Sequence, residues 1–161
     1  GAFASTYQPT TTVGVARNGD VLTYPLAGNI SGVIGSIYAE ASVPIVPAAT
    51  NAVLVGSSSG DPLYVNSTKV SIFDGSTEAL SPNFTPSATV QKLASRWGGS
   101  AMTAFNGGNA GTPAVFDGDL SLVGALSIGN AAALGQPYGT IRNVRCYSAA
   151  LSAAQLQAMT S

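Results

Sequence analysis

Short runs of alternating apolar and polar residues, broken by glycine-rich turns, dominate this chain. From Val33 to Val43 the alternation places Gly35, Ile37, Ala39 and Ala41 on one side, and Ser36, Tyr38, Glu40 and Ser42 on the other, the period expected of a half-buried strand. Ala52–Val55 is a short apolar run that ends in Gly56-Ser57-Ser58-Ser59-Gly60-Asp61-Pro62, a loop signal. Strands are further predicted at Val21–Tyr24, Leu63–Val65, Lys69–Phe73, Val90–Trp97, Ala101–Phe105, Leu120–Val123, Leu126–Ile128 and Thr140–Tyr147. Asp74-Gly75, Gly98-Gly99 and Asn106-Gly107-Gly108-Asn109 punctuate them as tight turns. In the last strand Ile141 and Val144 are three apart. If both face the core, an extra residue must be accommodated between them, which predicts a β-bulge.

Only the C-terminus reads as helix. Ser152 with Gln155 three residues later forms a capping box, and Leu151 with Leu156 forms a hydrophobic staple. Met159 continues the apolar stripe. Residues 1–30 are less regular, with Ser5–Thr11 and the turn Arg17-Asn18-Gly19-Asp20. They are expected to form an extended arm docked on a domain spanning 31–161. Many short strands with one short helix imply an all-β fold, an antiparallel two-sheet sandwich or a barrel.

Composition narrows the chemistry. The chain of 161 residues has no histidine and one cysteine. A serine or cysteine hydrolase built on imidazole is thereby excluded, as are His- and Cys-rich zinc sites and an intrachain disulfide. Cys146 reads as a small buried hydrophobe. Charged residues are 8% of the chain, against about 25% in ordinary soluble proteins. With a net charge of −1 and no basic tract, nucleic acid is not an expected partner. No apolar stretch approaches the roughly 20 residues of a membrane span, and no leader pattern is read at the start. Asn-x-Ser/Thr triplets at Asn29, Asn66 and Asn83 read as chance in so hydroxyl-rich a chain.

The segments Leu126-Ser127-Ile128-Gly129, Gly139-Thr140-Ile141-Arg142-Asn143-Val144-Arg145-Cys146-Tyr147 and Leu151-Ser152-Ala153-Ala154-Gln155-Leu156 resemble the close of laminin-G-like, concanavalin A-like jelly-roll domains. Val90–Trp97 and Thr103–Gly108 resemble the family's preceding hairpin, and Tyr7–Thr11 with Arg17–Leu22 its lead-in in bacteriophage and prophage proteins. The resemblance implies a two-sheet jelly roll and a non-catalytic, lectin-like module of a virion tail or tail fibre. Its implied setting is extracellular, and its implied partners are bacterial surface glycan or other virion domains. The closing motif is one of packing and capping, and is expected to contribute no binding residue.

Enzymes of this fold cleave glycans with carboxylates about 5 to 10 Å apart. The Glu-x-Asp-x-x-Glu arrangement of its glucanases is missing. Asp117 and Asp119 are the one acidic pair at alternate positions, and they bracket Gly118 in a turn. Calcium, bound by many relatives of the implied family, requires six to eight oxygens. Asp117 and Asp119 with loop carbonyls, or Asp61 with Ser57–Ser59, are candidates, set against ordinary turn-capping aspartates. Sugar recognition pairs an aromatic ring with amide, carboxylate or guanidinium partners. The candidates for that role are Asp61 and Tyr64 beside the serine loop, Arg96 and Trp97 at a strand end, and Asn106 and Asn109 in a glycine-rich turn. The competing roles are a core position for Trp97 and simple hairpin turns for the asparagines.

Overall fold

A computed structural model describes residues 22–46, 51–81, 83–129, 135 and 137–161. Most of the predicted arm, including Tyr7–Thr11 and Arg17–Asp20, lies outside the described residues. The strands are β1 (Leu22–Pro25), β2 (Gly35–Ile45), β3 (Ala52–Gly56), β4 (Asp61–Val65), β5 (Val70–Phe73), β6 (Glu78–Leu80), β7 (Ser87–Gly98), β8 (Ala101–Asn106), β9 (Asn109–Ala110), β10 (Ala114–Val115), β11 (Ala125–Ile128) and β12 (Tyr138–Tyr147). Among the described residues a single helix, α1 (Ala153–Thr160), follows.

The strands form two antiparallel sheets. Sheet A runs β1-β11-β3-β4-β5-β6, and sheet B runs β10-β8-β7-β2-β12 with β9 paired to β8. The molecule is therefore an all-β sandwich closed by one short C-terminal helix. Alternation assigns each residue to a face. Ile37, Ala39, Ala41 and Val43 of β2 join Leu93 and Trp97 of β7, Leu54 of β3, Leu63 and Val65 of β4, and Val70 and Ile72 of β5 in the main core.

A smaller cluster lies outside sheet B. Tyr38, Ala94 and Phe105 share a cross-strand row, and Leu156 of α1 covers them. The capping box is formed: Gln155 N donates to Ser152 Oγ at 3.2 Å, and Ser152 N donates to Gln155 Oε1 at 2.9 Å. These bonds satisfy donors that a helix start leaves orphaned.

Two differences from the sequence reading stand out. Leu120–Val123 is not a strand but a loop. Leu120 is buried there as a core side chain, whose N–H donates to Gly32 O, and Ser121 adopts φ +52°. An apolar run can thus mark a plugged loop as readily as a strand. Conversely, β6, β9 and β10 were not foreseen. They are two or three residues long and too short to show a period.

The expected bulge is present. The β12–β2 register shifts between Arg142 and Arg145, and Asn143 sits at φ +53°, a conformation Asn tolerates better than most residues. Ile141 and Val144 both pack against the core. The extra residue consequently leaves Arg142 and Arg145 both on the outer face, opposite Glu40 and Tyr38.

Candidate functional site

The six residues singled out from the sequence do not form one site. Trp97 is fully buried in the core. Its indole Nε1 donates to Ser31 O at 2.9 Å. Its ring lies over Gly35, where a Cβ would meet Cζ2 at 2.5 Å. It has no face for a ligand, so its role is that of a core plug. Arg96 is its neighbour in sequence but, by strand alternation, points to the other side of sheet B. There its Nη1 donates to Leu151 O at 3.3 Å and ties down the chain entering α1.

Asn106 and Asn109 line a groove of about 530 Å³ with Asn83, Thr85 and Gln91. Their amides bond locally: Asn106 Nδ2 donates to Asn83 O, and Asn109 Nδ2 to Gly107 O. Asp61 and Tyr64 do share a hollow, on the outer face of sheet A. Tyr64 itself is only 3% exposed, and its hydroxyl donates to Glu78. Asp117 and Asp119 are turn residues. Asp117 Oδ1 accepts from Asp119 N, and Asp119 Oδ1 accepts from Ser121 N. Among the described residues no group of three or more acidic or cysteine side chains converges as a metal would require.

A further concavity arises elsewhere. Among the described residues β1 is an edge strand of sheet A and β12 an edge strand of sheet B. Between these edges opens a cleft of about 590 Å³, floored by Leu126, Ile128, Ile141 and Val144. Leu22 and Tyr24 of β1 stand in its wall, 50% and 44% exposed. Asn29, Arg142 and Asn143 supply polar groups to its lining. An apolar cavity with a few convergent polar groups is the usual form of a small-ligand site.

A network on the outer face of sheet B holds the polar rim in place. Glu40 is its hub. Glu40 Oε2 accepts from Arg142 Nε at 3.0 Å, and Oε1 accepts from Asn143 Nδ2 at 2.9 Å and Tyr38 OH at 3.1 Å. Asn143 Oδ1 in turn accepts from Arg145 Nε at 3.1 Å, and the Arg145 guanidinium lies 5.7 Å from the centre of the Tyr38 ring, within cation–π range. Hydrogen bonds from Asn143, Tyr38 and Arg142 hold the Glu40 carboxyl below the usual carboxylate range. Burial, and then the bond to Glu40, push the Tyr38 phenol up to about 12. Each arginine donates through Nε, Arg142 to Glu40 and Arg145 to Asn143, and the outer ends of the two guanidinium forks are exposed. Four of the chain's six lysines and arginines, Lys92, Arg96, Arg142 and Arg145, belong to this face.

The closing motif was expected to serve packing and capping alone. Its Ile141 and Val144 do pack, but its Arg142 and Asn143 also line the cleft. The odd spacing of Ile141 and Val144 was the one signal in the sequence that marked this place. Cys146 is half-buried at the base of the cleft, and burial pushes its thiol up.

The carboxyl of Asp61 is pushed up by burial to about 6, offset in part by the Ser57 backbone. A carboxyl that binds its proton more tightly when folded makes its full stabilising contribution below its unfolded value. That contribution is lost as pH rises through about 6. Thermal melts are therefore expected to show stability falling between pH 4 and pH 6, and Asp61→Asn to flatten that slope; a parent slope of opposite sign would refute this assignment.

No family model matches the chain, and no curated protein matches it. Solved structures do match. The carbohydrate-binding module CBM40 of the Ruminococcus gnavus intramolecular trans-sialidase, bound to α2,3-sialyllactose, superposes with a TM-score of 0.64 at 17% identity, over 81% of this chain and 84% of that one. Domain 4 of the extracellular arabinanase AbnA from Geobacillus stearothermophilus, in complex with arabinotriose, gives 0.62 at 16% identity, over 91% and 75%. The heptameric SAP-like pentraxin of Limulus polyphemus gives 0.62 at 14% identity, over 86% and 72%. At such identities the likeness is one of fold, a two-sheet β-sandwich.

Proposed function

We propose that this chain is a non-catalytic, lectin-like module that binds glycan in the cleft between β1 and β12. One observation carries the reading: an exposed Tyr24 ring, an apolar floor and a rim of Asn29, Arg142 and Asn143, pinned by Glu40, share one cleft. A sugar ring is amphipathic, and that combination matches it, with aromatic against C–H faces and amide or guanidinium against hydroxyls. The outward guanidinium forks favour glycans that carry a carboxylate or sulfate. Support also comes from the sandwich neighbours, two of which were solved with sialyllactose and arabinotriose. The resemblance of Tyr7–Thr11 and Arg17–Leu22 to the lead-in of bacteriophage and prophage domains motivates the finer reading, a virion tail or tail-fibre domain that recognises bacterial surface glycan.

A glycan array combined with isolated bacterial polysaccharides tests it. Acidic glycans are expected to bind best, with affinity falling as salt screens the arginines. Tyr24→Ala is expected to weaken binding about tenfold, the loss of roughly one stacking contact. Binding to no glycan, or a Tyr24→Ala variant that binds like the parent, would defeat the proposal.

A second reading, a virion assembly domain, is favoured by exposed apolar side chains at Val33, Ile34, Val115 and Val123. It predicts self-association or partner capture that is insensitive to glycan and lost on Val115→Asp.

A further inference from the structure

The charges of this chain are sorted between its two sheets. Sheet B carries Lys92, Arg96, Arg142 and Arg145 on its outer face, with Glu40 the one acid there among the described residues. Sheet A instead holds Asp61 in β4 and Glu78 in β6, with Asp74 just after β5 and Lys69 just before it. A chain of net charge −1 thus presents one basic face.

Register fixes the layout of that face. Lys92 pairs with Glu40 and Glu40 with Arg142, so the three form one row across β7, β2 and β12. Arg145 stands opposite Tyr38, in the next outward row. From the usual strand spacing and rise, the backbones of Lys92 and Arg142 are about 10 Å apart, and those of Arg142 and Arg145 about 7 Å. Glu40 holds Arg142 at 3.0 Å. Lys92 Nζ donates to Ser161 O at 2.5 Å, which engages only one of its protons. Lys92, Arg142 and Arg145 are all exposed. The helix α1 packs over β7, β8 and β9 and leaves the arginines of β12 open. Arg142 belongs to the row and also lines the cleft, so the cleft and the basic face are continuous through this side chain.

A sugar with one anionic group can meet only one of these cations at a time, whereas a chain of such sugars can meet all of them. We propose that the ligand is an acidic polysaccharide bound along its length. One sugar sits in the cleft, and its neighbours cross β12 onto the outer face of sheet B, carrying their carboxylates to Arg145 and Lys92. This rests on the cleft reading and deepens it. Thr140 and Asn143 are exposed beside the charges. Their hydroxyl and amide suit ring hydroxyls, which an acidic peptide lacks.

Calorimetric titration of the whole chain with galacturonate and sialate oligomers of one to six sugars, at two salt concentrations, tests the proposal. Affinity is expected to rise at least tenfold from monomer to tetramer, about fivefold for each further ion pair. Its salt dependence is expected to steepen with length. Lys92→Gln and Arg145→Gln, at exposed positions where folding is not at stake, are each expected to weaken the tetramer about fivefold. A tetramer that binds no tighter than the monomer, or one indifferent to both substitutions, would overturn the extended site. Equal binding of hexaglutamate would overturn the sugar. Tyr24→Ala tells the two readings apart. Monomer binding that depends on Tyr24 without any gain in length keeps the cleft and removes the basic face. Tetramer binding that depends on Lys92 and Arg145 but not on Tyr24 keeps the face and removes the cleft. No binding of either series would overturn both.

Discussion

Replacing Trp97 by alanine is expected to cost about 3–5 kcal/mol of folding stability, the range for removing a large aromatic from a packed core. Trp97 has no exposed surface, lies between Gly35 and Met102 in the sheet register, and is fixed by its bond to Ser31 O. Domains of this kind have about 5–15 kcal/mol in total, so the loss approaches unfolding. Trp97→Phe keeps much of the apolar volume but leaves Ser31 O without its donor, and a cost of about 1–3 kcal/mol is expected. Urea unfolding followed by circular dichroism measures both. A Trp97→Ala protein as stable as the parent would mean that this side chain is not in the core. The parent's fluorescence, from its single tryptophan, is correspondingly expected to be blue-shifted and unchanged by any glycan.

Glu40→Ala is expected to have the largest effect on glycan binding, a loss of well over tenfold, though Glu40 is not among the cleft-lining residues. Its two oxygens orient Arg142 and Asn143. Without them both side chains regain rotamer freedom that a ligand must then quench. Tyr38 also loses the acceptor for its hydroxyl. Glu40→Gln keeps an oxygen for Asn143 and Tyr38 but loses the charge that holds Arg142, so an intermediate loss is expected. The pH dependence follows from the lowered Glu40 carboxyl. A depressed acid keeps its folded-state interactions above its ordinary value and loses them as pH falls through the lowered one. Binding is thus expected to survive mild acid and to fail only below the ordinary carboxylate range. Calorimetric titration of an acidic glycan across pH checks both statements. Glu40→Ala binding as tightly as the parent would detach the network from recognition.

The two predictions separate the two faces of sheet B. Trp97 acts on the inner face, where shape and apolar area decide. Glu40 acts on the outer face, where orientation of donors decides. Strand alternation makes the separation possible, since neighbours such as Arg96 and Trp97 serve opposite sides.

Local interactions wrote much of the fold into the sequence. The two-residue period of Ile37, Ala39 and Ala41 sorted β2 into faces. The spacing of Ile141 and Val144 announced the bulge, and Ser152 with Gln155 announced the helix start. Each depends on residues a few positions apart, so a linear reading suffices. The candidate sites depend on long-range pairing. Tyr24 and Arg142 share a cleft because β1 and β12, at the edges of different sheets, both line it, and Asp61 meets Glu78 only through β5. Whether an aromatic shows its ring or buries it is likewise a matter of packing. Trp97 at a strand end could be read as core or as a ligand platform, and the ring packed over Gly35 made it core. The sequence by itself determined the strand periods, the bulge, the capped helix and the absence of imidazole chemistry, because those follow from backbone geometry and residue type. Only the tertiary structure decided which polar groups converge and which aromatic stays exposed, because convergence is set by sheet order and by where the two sheets part.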